Sequence, residues 1–114
     1  MTDEAPPKRK EKRPQRVFTL LVEVSRRAGD GLPDGSTGAG ILCYAAGVDE
    51  AEAVRETVAL LKAADMNPLD VTAYGTLEDR LADGEEVPKE ERALMERARA
   101  ENAVIVASVE PFGD

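Results

Sequence analysis

Apolar residues first recur with a regular spacing at Val17. From Val17 to Val24 the chain reads V-F-T-L-L-V-E-V, with Phe18, Leu20, Val22 and Val24 on one side of a two-residue repeat and Val17, Thr19, Leu21 and Glu23 on the other. Alternation, β-branching and length predict a strand. Its second side is still half apolar, which predicts a central strand and leaves Val17, Thr19 and Leu21 as surface that must be covered. Ser25–Gly40 follows, with five glycines, two aspartates and a proline, and reads as a long connection. Gly40–Ala46, around Ile41, Leu42, Cys43 and Tyr44, reads as a short second strand.

The period then changes to that of a helix. Asp49 is suited to cap its N-terminus, Glu50 and Glu52 complement the dipole of the first turn, and Ala51, Val54, Val58 and Leu61 predict a buried stripe. Asn67-Pro68 ends the helix. Leu69–Thr76 predicts a third strand, with Leu69, Val71 and Ala73 on one face and Thr72 and Tyr74 on the other. The acidic segment Leu77–Val87 has room for one helical turn at Leu77–Leu81. Pro88 opens a second helix to about Ala100, faced by Leu94, Met95 and Ala98. Ala103–Val109 predicts a last strand, stopped by Pro111.

The order β-β-α-β-α-β predicts an α+β fold, a four-stranded sheet with two helices packed on one face. Its layering suggests a ferredoxin-like two-layer sandwich by analogy, although the element order is not the strand–helix–strand repeat of that fold.

Charge divides the chain in two. Residues 1–16 hold three prolines, no Val, Leu or Ile, and six basic against three acidic groups, a net of +3. Residues 17–114 hold nine basic and twenty acidic groups, a net of −11. The first stretch predicts a disordered basic tail and the second a single acidic domain. No apolar run approaches the ~20 residues of a membrane span, and the N-terminus does not read as a secretory signal. The lone Cys43 permits no intramolecular disulfide, so the expectation is a cytoplasmic protein with no membrane association. Ten arginines against five lysines, with abundant alanine, suggest a GC-rich bacterial genome.

The candidate chemistry is sparse. The chain has no histidine and one cysteine, so the commonest general base and the usual Cys/His metal sets are missing. Cys43, mid-strand between apolar residues, reads as a buried hydrophobe rather than a nucleophile. The glycine-rich connection is a candidate ligand loop through Asp30, Gly31, Asp34, Gly35 and Gly38. It lacks the phosphate-loop pattern and leads into a strand rather than a helix, which favours an irregular hairpin connection. The acidic run Glu78, Asp79, Asp83, Glu85 and Glu86 reads as a solvated face, with docking of a basic partner or a weak cation site as the functional alternative. Lys8, Arg9, Lys10, Lys12, Arg13 and Arg16 are candidate contacts to phosphate or a partner; no aromatic residue is interleaved to stack on bases. Tyr44 and Tyr74 read as packing residues with the hydroxyl at the edge of the core; a face shared with Thr72 would make them the lining of a small pocket or a protein-binding surface.

With no nucleophile–base pair, no metal set and no cofactor fingerprint, the expectation is a small non-enzymatic binding or accessory protein without cofactor, acting through a protein partner or as a homodimer. A nucleic-acid accessory protein working through the tail is less favoured, because the acidic domain opposes phosphates. A small-ligand binder using loop 29–40 is the third reading.

Overall fold

Two long strands that follow one another in sequence lie at the centre of the sheet. The computed structural model describes residues 15–113. Its elements are β1 (Arg16–Ser25), β2 (Ser36–Gly47), α1 (Glu50–Ala63), β3 (Asn67–Thr76), α2 (Leu77–Ala82), α3 (Lys89–Glu101) and β4 (Val104–Gly113). The sheet order is β3-β1-β2-β4 and every neighbouring pair is antiparallel. The β1–β2 register is unbroken from Arg16 opposite Gly47 to Ser25 opposite Gly38.

On one face, Phe18, Leu20, Val22 and Val24 of β1 meet Ala39, Ile41, Cys43 and Ala45 of β2 beneath Ala53 and Leu61 of α1. The buried line of α1 is Ala53–Thr57–Leu61, and Ala51, expected in the stripe, is exposed. The four-residue spacing keeps small side chains against the sheet, and the Thr57 hydroxyl is satisfied by donating to the Ala53 carbonyl at 2.8 Å. Asp49 caps this helix, accepting from the Glu52 N–H.

On the other face, Tyr44 packs with Val87, Met95 and Ala98, joined by Val17, Leu42, Leu94 and Ile105. Adjacent strand residues point to opposite sides, so α1 and α3 flank the sheet from opposite faces. This corrects the expected placement of two helices on one face: β1 and β2 are apolar on both sides, and each side draws its own helix. The layers number three rather than two, a third helix (α2) precedes α3, and the ferredoxin-like arrangement is not found, because the β1–β2 hairpin fills the centre and β3 and β4 form the edges.

Several boundaries also differ. α1 ends at Ala63, so Asn67-Pro68, expected to stop the helix, lies instead at the start of β3, an edge strand that tolerates the proline. β1 takes in Arg16, one residue before the expected start. β2 starts at Ser36 rather than Gly40, because the glycines pair with β1: a Cβ at Gly38 would stand 2.4 Å from the Val24 carbonyl oxygen. β4 runs through Pro111, which an edge strand tolerates where a central one would not.

Candidate functional site

The connection between β1 and β2 is held by its own residues. The Asp30 carboxylate is buried and accepts from the backbone N–H groups of Arg27 at 2.9 Å and Leu32 at 3.0 Å, and from Arg26 Nε at 3.0 Å. The two backbone N–H donors, then Arg26, hold its pKa down at about 2. Arg26 also donates to the Pro33 and Ser36 carbonyls, which pins the loop. Gly31 and Gly35 have φ near +80° and +89°, turn positions that favour glycine. Asp34 is exposed, and Gly38 belongs to β2. Asp30 therefore shapes the turn, and its oxygens are engaged inside it. Arg26, the donor that organises the loop, carries no motif that marks it in the sequence.

Of the basic candidates, Lys8, Arg9, Lys10, Lys12 and Arg13 lie outside the described residues. Arg16 opens β1, with its guanidinium carbon 5.4 Å from the Phe18 ring centroid.

A polar cluster sits on the α3 side. Thr76 caps α2 in a reciprocal box with Asp79, which sets Arg80 on the side turned to the sheet. Pro88, expected as the first helical residue, stands one position earlier as the extended N-cap of α3, and Glu91 falls in the first turn. Tyr44, fully buried in β2, donates its hydroxyl to Glu91 Oε1 at 2.6 Å. Arg80 Nη1 donates to Thr19 Oγ1 at 3.0 Å and to Glu91 at 3.4 Å, and Arg80 Nε to Glu85 at 2.9 Å. Burial, and then the Glu91 carboxylate, push the Tyr44 phenol up to about 12. Burial also works against the Arg80 charge, but Glu85 and Glu91 outweigh it and raise the guanidinium above its ordinary value. Thr19, Leu42, Tyr74, Arg80, Glu85 and Glu91 line a recess of about 270 Å³. Tyr74 thus borders a pocket while Tyr44 lies below the surface. Glu85 is the member of the acidic run that finds a cation here.

Beyond Leu42 the same face is uncovered. Gly40 has no side chain, and Phe112 and Leu21 lean over it: a Cβ there would lie 3.4 Å from the Phe112 ring and 3.7 Å from Leu21 Cδ1. Leu21 is 36% exposed and Phe112 40%. On the β4 side, Leu21, Gly40, Leu42, Ser108, Glu110, Pro111 and Phe112 bound a trough of about 640 Å³. On the β3 side, Glu23, Asp70 and Thr72 join Leu21 and Phe112 around a smaller recess of about 200 Å³. The result is an apolar strip rimmed by Glu23, Asp70 and Glu110, with no ion pair to any of the three among the described residues. Such a surface offers apolar contact to a ligand and a negative field at its border.

Cys43 points to the α1 side, away from these recesses, and burial raises its thiol to about 11. Among the described residues no cluster of three or more Cys, Asp or Glu side chains is arranged to hold a metal ion. No described helix is long and apolar enough to cross a membrane.

A family model described as a domain of unknown function, DUF8846, matches residues 17–113. No curated protein and no solved structure matches the chain.

Proposed function

The chain belongs to the DUF8846 family, and we propose that it is a non-enzymatic binding protein that holds a protein partner on the open half of the α3 face. One observation carries the reading: a well-packed domain that is 33% charged over its whole chain leaves Leu21 and Phe112 side by side in the open, over a glycine. Contiguous exposed apolar surface with a polar rim is the kind of surface that protein partners cover. Glu23, Asp70 and Glu110 suit a partner segment that presents Lys or Arg around an apolar anchor, and they disfavour phosphate backbones. With the only thiol shielded and no histidine in the chain, the side chains at hand serve recognition better than nucleophilic chemistry. The lone buried thiol also suits a reducing cytoplasm.

The test is a nuclease-treated affinity capture with three forms of the full chain: wild type, Leu21→Ser/Phe112→Ser, and a form with Lys8, Arg9, Lys10, Lys12 and Arg13 all changed to Gln. The expected result is one stoichiometric protein partner, kept by the glutamine form and bound about tenfold or more weakly by the double serine form. Undiminished capture by the double serine form overturns the reading. Capture that follows the basic residues and vanishes with nuclease replaces it with the nucleic-acid reading.

A further inference from the structure

The trough has no outer wall on the β4 side, where it runs over Ser108, Glu110, Pro111 and Phe112 to the edge of the sheet. That edge is itself unusual. Residues 102–109 read N-A-V-I-V-A-S-V without one charged side chain. Val106 and Val109 are 41% and 43% exposed. An edge strand presents unpaired backbone groups to any second strand, and proteins ordinarily blunt such edges with Lys, Pro or a covering element. The opposite edge is blunted in this way: β3 carries Pro68 and Asp70, and α2 packs against it. In β4 the only proline, Pro111, lies beyond the uncharged run, and the one device within the run is a bulge at Ala107, where the pairing with β2 steps from Ser108 to Val106.

We propose that two copies of the chain pair antiparallel along β4, joining their sheets into one of eight strands and completing each other's trough. The half-coverage of the α3 face supports this. α3 packs over Ile105 and Ala107 in the first half of β4, whereas the trough occupies the second half. Antiparallel pairing along this uncharged run sets the first half of one strand against the second half of the other. Each α3 then flanks the trough of the other copy. The charges agree: residues 102–109 carry no charged side chain, so a chain of net charge −8 meets its copy along a run that sets no like charges directly opposite one another. Val106 and Val109, set on the α1 side by their pairing with Cys43 and Ile41, provide apolar contact across the axis. The pairing deepens the binding reading by supplying the missing wall, while its test stands apart from that reading.

Sedimentation velocity and light scattering on the full chain, up to about 200 µM, should give a species of twice 12.3 kDa. Val106→Lys/Val109→Lys should shift it to the monomer mass, weakening self-association about 100-fold or more, whereas Tyr74→Lys on the β3 edge should leave the dimer intact. In case the lysines disturb folding, hydrogen exchange on the wild type gives a second measure: the 104–109 amides should gain protection as concentration rises. A monomer at every concentration, a dimer that survives the β4 lysines in a folded chain, or one broken from β3 overturns the proposal. Leu21→Ser/Phe112→Ser should keep the dimer mass, so lost partner capture with the dimer intact speaks only to the trough.

Discussion

Strand β1 shows two different surfaces. Toward α1, Phe18, Leu20, Val22 and Val24 are all buried. Toward α3, burial fades along the strand: Val17 is half-buried, Thr19 is buried with its hydroxyl taken by Arg80, and Leu21 and Glu23 are exposed. The α1 side is a dry core, where stability comes from area removed from water. The α3 side goes from core, through a hydrogen-bonded cluster, to an open apolar strip. Leaving Leu21 and Phe112 part-exposed gives up transfer energy that a covering element would recover, and the proposed partner site rests on that gap in coverage.

Substitutions can sharpen or break the contrast. The largest effect belongs to the α1 side: Leu20→Ala should cost about 2–5 kcal/mol, read as a lower urea midpoint with an unchanged slope. A loss under about 1 kcal/mol would mean that this face is not the core. The cluster should show an intermediate effect. Tyr44→Phe removes the hydroxyl bond to Glu91 and should cost about 1–3 kcal/mol at neutral pH. Because Tyr44 is held at about 12 when folded, against an ordinary value near 10, the folded state keeps its proton more tightly. The wild type's advantage over Tyr44→Phe should therefore be complete below about pH 10 and shrink as pH rises toward about 12. An advantage that stays constant through that window would show that the phenol is not shielded. The smallest effect belongs to the strip: Phe112→Ser should change stability by less than about 1 kcal/mol. A loss as large as that of Leu20→Ala would make the strip part of the core and remove the contrast.

Much of this architecture was readable in the residues. The Asp49 cap, the Pro88 start of α3, the stripe of Met95 and Ala98, and the four strands all follow from local chemistry. The two-sided coverage was readable too, since Val17, Thr19 and Leu21 announce a second face; placing both helices on one face set that signal aside. The glycine segment was harder. Glycine reads as loop because its dihedrals are free, whereas Gly38 is in β2 because Val24, fourteen residues away in sequence, passes too close for a side chain. The Arg80 cluster lay further out of reach. Its bond to Thr19 joins residues 61 apart, and neither forms a motif. The trough depends on which half of a strand a helix fails to cover, a property of packing that no local pattern records.

Cys43 stands opposite Leu20 on one side and Val106 on the other, wholly shielded on the central strand and alone of its kind in the chain. A maleimide or disulfide reagent can reach that sulfur only when β2 parts from a neighbour or α1 lifts away, so fraying at a loop or terminus leaves it untouched. Its rate of alkylation is accordingly a clock for the deepest opening of the molecule, built in without any label. The same shielding makes the folded chain indifferent to oxidants that would modify an exposed thiol.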